Sequence, residues 1–240
     1  MTCASSGKGD RTGLAEQLCR KEEAVEVCVF LFLIVPSMAL SLFAVRRGQL
    51  AFPLAATAIM LRDLALVCLI LFFLWRNGEA RERIGWTLGH VWKEIGVGVV
   101  LFPPFFAGVA GVEFALRQVG LTAPATPLPS FLTAQDMPQV LLALALVIVV
   151  AISEETIFRG YLLLRFGATM RSMGAAVISS SLVFSIGHGY EGTVGLATVG
   201  VMGVVLALVY LWRKSLVAPM VLHFLQDFIG IVLVPVLGLK

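Results

Sequence analysis

Apolar residues come in long unbroken runs along this chain, with polar residues clustered between them. A helix needs about 20 mostly apolar residues to cross a bilayer. On that basis the pattern predicts seven spans, at roughly 26–45, 54–75, 95–116, 139–164, 174–190, 193–212 and 216–238. An eighth span remains an alternative. The expected fold class is all-α, a polytopic transmembrane helix bundle. The fifth and sixth spans are joined by Gly189, Tyr190, Glu191 and Gly192. The segment from Gly120 to Pro138 carries Pro124, Pro127, Pro129 and Pro138, which suit an extended connection. The small-residue pairs Gly192/Gly195 and Gly200/Gly203 could let helices approach closely. No internal repeat is visible. The expected organisation is a polar N-terminal tail over 1–24, spans of unassigned role over 25–138, and a chemistry-bearing core over 139–240.

Composition agrees with a lipid environment. Hydrophobic residues make up 59% of the 240 and charged ones 14%, and the mean hydropathy is +0.94. A soluble domain is nearer half apolar and a quarter charged. The N-terminal stretch lacks the features of a cleaved secretory signal, so the first apolar run is read as a retained anchor. A net charge of +3, with no basic tract interleaved with aromatics, argues against nucleic acid as a partner. The cysteines Cys3, Cys19, Cys28 and Cys68 show no metal-ligand spacing and no disulfide framework.

Charge between the spans suggests an orientation. With the N-terminus inside, the inside segments hold twelve Lys and Arg, among them Lys8, Arg76, Arg83, Arg165 and Arg213. The outside segments hold four: Arg46, Arg47, Arg117 and Lys240. This bias places the N-terminus in the cytoplasm and the C-terminus outside. The expected location is a bacterial inner (plasma) membrane.

Candidate chemistry lies where polar residues persist inside apolar spans, because each one is costly there. The fourth span contains Glu154, Glu155 and Arg159. Glu155 and Arg159 are four apart, share a helix face and can pair. Glu154 is turned about 100° away and must find its partner on another helix. The fifth span ends in Phe184-Ser-Ile-Gly-His188, and the seventh carries His223 and Asp227, again four apart. Helical rise brings these groups to a similar depth, which makes one shared site plausible. Phe184 is expected to pack beside it. Arg62 and Asp63 interrupt the second span. They could clasp neighbouring helices, mark a cytoplasm-open cavity, or show that the span is misplaced; the clasp is the preferred reading.

A carboxylate and an imidazole can take a proton from water and aim it at a carbonyl. A second imidazole can stabilise the oxyanion. Alternatively, Glu154, His188 and His223 could hold a divalent metal such as zinc. Both routes hydrolyse an acyl bond without a serine or cysteine nucleophile. Neither Gly-x-Ser-x-Gly nor His-Glu-x-x-His occurs.

Glu154-Glu155-Thr-Ile-Phe-Arg159-Gly160, Phe184-x-x-x-His188 and His223-x-x-x-Asp227 resemble the three motifs of the CPBP (Abi) family. That family includes type II CAAX prenyl endopeptidases and bacteriocin-processing or self-immunity proteins. The resemblance covers about 90 residues and leaves the first three spans unmatched. It implies an intramembrane endopeptidase acting on a membrane-anchored protein or peptide. Glu154 and His188 would activate water, His223 and Asp227 would stabilise the oxyanion, and Glu155 and Arg159 would brace the site. The family's third motif often ends in Asn. An ionised Asp227 only accepts hydrogen bonds, so it would orient His223 instead or stand protonated. The family is often labelled metalloprotease, but the resemblance equally permits a metal-free route, which is preferred here. The alternative function is a non-enzymatic membrane protein, such as a small transporter or an immunity or scaffold protein, since buried charges also mark ion pathways.

Overall fold

A computed structural model describes residues 11–46, 51–122, 133–134 and 136–238, the side chains at 11–20 and 39–46 excepted. Cys3, Lys8, Arg47, Pro124, Pro127, Pro129 and Lys240 lie outside the described residues, as do the side chains of Cys19 and Arg46.

Helices account for nearly all of the described chain, with no strand among the described residues. They run α1 (Arg11–Arg46), α2 (Phe52–Arg76), α3 (Val91–Gln118), α4 (Met137–Glu154), α5 (Leu163–Met170), α6 (Met173–Ile186), α7 (Gly192–Arg213), α8 (Val217–Asp227) and α9 (Val234–Val236). Two π-helical turns join them. Glu155–Leu162 links α4 to α5, and Phe228–Leu233 links α8 to α9. Met137–Met170 is therefore one helix of 34 residues, and Val217–Val236 one of 20. Counted as continuous rods there are seven among the described residues, one for each expected span. Among the described residues, five are long and apolar enough to cross a membrane: Phe52–Arg76, Val91–Gln118, Met137–Met170, Gly189–Arg213 and Val217–Val236.

Three boundaries differ from the sequence pattern. Residues 11–24, expected as a tail, are the first turns of α1. Pro138, expected in the preceding loop, stands in the first turn of α4, where proline is tolerated. Asp136 caps that turn by accepting from the Gln139 amide at 2.9 Å. The fifth span, expected to reach residue 190, ends at Ile186. It is a helix of 14 residues, about 21 Å long, against a hydrocarbon core of about 30 Å.

The helix Met137–Met170 runs through the centre of the bundle. All eight residues of its π turn are buried. α2 packs along α4, α1 and α6 against α5, α6 along α7, and α3 along α8. The main core gathers Phe30, Ile34, Ile70, Phe73, Phe158, Tyr161 and Phe184. Close approach is bought with small residues. Gly203 on α7 faces Ser181 on α6, and Gly200 faces Ser185, in line with the small-residue pairs seen in the sequence. Gly160 in the π turn abuts the Ile84 backbone of the loop between α2 and α3. The outer surface is apolar. Phe32, Trp75, Trp92 and Trp212 all lie open, as lipid-facing side chains do. Cys28 and Cys68 also face outward. The chain is an integral membrane protein.

Candidate active site

The π turn begins at Glu155, directly after Glu154. The second π turn begins at Phe228, directly after Asp227. A π turn widens the helix by one residue and recurs at functional sites. Here the first carries most of the first polar motif, and the second starts where the third motif ends.

Glu155 Oε1 binds two partners. Arg159 Nη1 lies 2.9 Å away and His223 Nδ1 lies 2.8 Å away. All three residues are buried. The Arg159 guanidinium is also stacked 4.1 Å from the centre of the Phe184 ring. Since the carboxylate accepts, His223 Nδ1 carries the hydrogen. Its other ring nitrogen, Nε2, faces the remaining two carboxyls. Glu154 Oε2 stands 3.7 Å from it and Asp227 Oδ2 stands 3.4 Å from it. Glu154 Oε2 is buried and takes part in no hydrogen bond.

His188 lies just past the C-terminal end of α6, at the start of the short connection to α7. It is half-buried, and its Nδ1 bonds the Phe184 carbonyl at 3.1 Å. Its ring lies 4.9 Å from that of Phe184, and the His223 ring lies 5.9 Å from the same phenyl. Both imidazoles thus pack on one ring, and each has Nδ1 engaged. In each, Nε2 is the nitrogen left for chemistry.

The structure therefore joins Glu154, Glu155, Arg159, His223 and Asp227 through direct contacts or near contacts. His188 joins them through Phe184. Glu155, expected mainly as the partner of Arg159, is also the residue that holds His223. Sequence reasoning did not assign three further residues to this neighbourhood. Asp63 on α2 lies within electrostatic reach of Glu154 and His188. Tyr190 and Glu191 interact with Asp227 from the α6–α7 connection. An acid inside an apolar span was a visible signal for Asp63. Nothing in the sequence marked the other two. Arg62, expected to clasp another helix, instead pairs with its own neighbour Asp63 at 2.8 Å.

Among the described residues, no group of three or more His, Cys, Asp or Glu side chains is gathered to hold a metal ion.

The fold and the buried polar centre define an integral membrane protein with a candidate site enclosed by its helices. Residues 136–229 match the family described as type II CAAX prenyl endopeptidase Rce1-like. That span contains all three motifs. No curated protein and no solved structure matches the chain.

Proposed function

We propose that this protein is an intramembrane endopeptidase that hydrolyses a peptide bond of a membrane-associated protein or peptide, in CAAX-type or related C-terminal processing. The observation that carries this reading is the pair of histidines packed on Phe184. Each is pinned through Nδ1, and His223 presents Nε2 to Glu154 and Asp227. A merely structural histidine has no need of a second, unengaged nitrogen facing an unbonded carboxylate.

In the proposed reaction Glu154 takes a proton from water while His188 helps to orient it. The water oxygen attacks the scissile carbonyl. His223, as an imidazolium that carries a hydrogen on Nε2 as well as the one Nδ1 gives to Glu155, donates to the oxyanion. Asp227 faces that same nitrogen and sets the ring's direction rather than donating itself. Glu155 locks the ring from behind, and Arg159 balances the charge of Glu155. Glu154 then returns its proton to the departing amine. The substrate reaches the site from the bilayer, consistent with its enclosure by apolar helices.

The test is turnover of a farnesylated C-terminal reporter peptide by the purified protein in lipid nanodiscs. Glu154→Gln and His188→Ala are expected to lower kcat by about 10²–10⁴-fold each, with thermal unfolding unchanged within the scatter of replicates. Retained turnover in both variants would sink the proposal. Proton-coupled flux in liposomes that survives both substitutions would favour a transporter instead.

A further inference from the structure

α2 lies outside the matched segment, yet it reaches the site. Asp63 is 1% exposed. Its Oδ1 takes both contacts from Arg62, Nε at 2.8 Å and Nη2 at 2.8 Å. Its Oδ2 is buried and receives no hydrogen bond. Glu154 shows the same pattern, with Oε2 buried and unbonded. The two carboxyls act on one another electrostatically, and Asp63 also acts on His188.

Helical rise supports the same placement. Arg76 at the end of α2 and Arg165 on α5 both pair with Glu26, so they mark one level of the bundle. Asp63 stands roughly 20 Å from Arg76 along its helix, and Glu154 roughly 16 Å from Arg165 along its own. α2 packs along α4 and the π turn that follows it. The two open oxygens therefore lie on packed helices at a similar level. A pair that served only to neutralise itself would spread the guanidinium over both carboxylate oxygens. This one leaves a buried acceptor without a partner, which is unfavourable without a ligand.

We propose that Asp63 is a further catalytic residue, whose Oδ2 accepts one hydrogen of the water molecule that gives its other proton to Glu154. The inference rests on the hydrolase reading above. A water held by one hydrogen can swing, and its lone pair points at the carbonyl only part of the time. Held by both hydrogens it is oriented before attack. The water oxygen bonds to the carbonyl carbon as one O–H proton passes to Glu154. The C–N bond then breaks as Glu154 returns that proton to nitrogen. The second hydrogen stays on the new carboxyl oxygen, bonded to Asp63. The products are an acid and an amine, and no further reactant is needed.

The full-length protein in nanodiscs, with the farnesylated reporter peptide, provides the test. Asp63→Asn keeps the size of the side chain and is expected to lower kcat by about 10–100-fold with KM within about twofold. In Asp63→Ala, added formate is expected to restore kcat by about tenfold, and chloride at equal ionic strength to restore nothing. A wild-type kcat in Asp63→Asn overturns the proposal. So does a loss in Asp63→Ala that formate leaves untouched; if that variant does not fold, the kcat–KM split of Asp63→Asn decides alone. A wild-type protein indistinguishable from Glu154→Gln removes the hydrolase reading itself, and this proposal with it.

Discussion

Asp227 is the residue at which this chain departs from the pattern it resembles, and the geometry gives the departure a role. Its Oδ2 stands 3.4 Å from His223 Nε2. A carboxylate there accepts only, so it cannot donate to an oxyanion. It can turn the imidazole, whose other nitrogen is fixed by Glu155 at 2.8 Å. Asparagine at the same position would offer a carbonyl to the same ring and an amide N–H to the substrate. Asp227→Asn is therefore expected to keep kcat within about threefold or to raise it, whereas Asp227→Ala, which leaves the donor ring of His223 undirected, loses about 10²-fold. Initial rates on the reporter peptide decide this, and an inactive Asp227→Asn would show that the negative charge itself is required. The motif residues were legible because each stood as a polar residue in an apolar run. Which nitrogen of His223 faces which carboxyl was not, because residue spacing carries no information on rotation across helices.

Helix spacing predicts that Glu154 and Glu155 diverge by about 100°, and the π turn that starts between them was invisible in the sequence. Periodicity over a run that is buried on every side has no polar face from which to read its pitch. The turn's position follows from packing, because Gly160 must sit against the loop that precedes α3. A Cβ there would stand 2.9 Å from the Ile84 carbonyl oxygen and 3.2 Å from the Ile84 side chain. Gly160→Val is expected to destabilise the protein by about 1–3 kcal/mol. Gly167→Ala serves as a control, since its Cβ would meet only the flexible tip of Met173 at 3.3 Å, and is expected to cost less than about 0.5 kcal/mol. Thermal unfolding in detergent measures both, and equal midpoints would remove the packing argument. The small-residue pair on α7 was legible for a related reason. Its partners Ser181 and Ser185 were not, because register between helices is set by the whole interface.

At the scale of the molecule, one buried cation ties α1 and the loop after α2 to the C-terminal half. Arg165 is 0% exposed. It donates to Glu79 from Nη1 at 3.2 Å and from Nη2 at 2.9 Å, and pairs with Glu26 at 3.4 Å and Glu23 at 3.7 Å. The Tyr161 ring lies 5.2 Å from its guanidinium, and the Tyr161 hydroxyl donates to Glu26 at 3.3 Å. The charge pattern of the sequence counts Arg165 among the cations of the inside segments. Arg76, Arg83 and Arg213 were counted likewise, and each is engaged with a glutamate. Removing one side of a buried ion pair costs about 3–5 kcal/mol when the other side is left unpaired. Here Glu79 keeps Arg83, and Glu26 keeps Arg76 and Asn77. Arg165→Met is therefore expected to cost less, about 2–3 kcal/mol. Arg165→Lys recovers only part of that, because an ammonium cannot reproduce the two-pronged contact with Glu79. The loss falls on one part of the bundle. Hydrogen exchange should quicken in α1 and at the end of α2, and stay unchanged where α3 packs on α8, which does not touch this network. Uniform quickening across the bundle would mean that Arg165 supports the core as a whole and does not bind the N-terminal helices in particular.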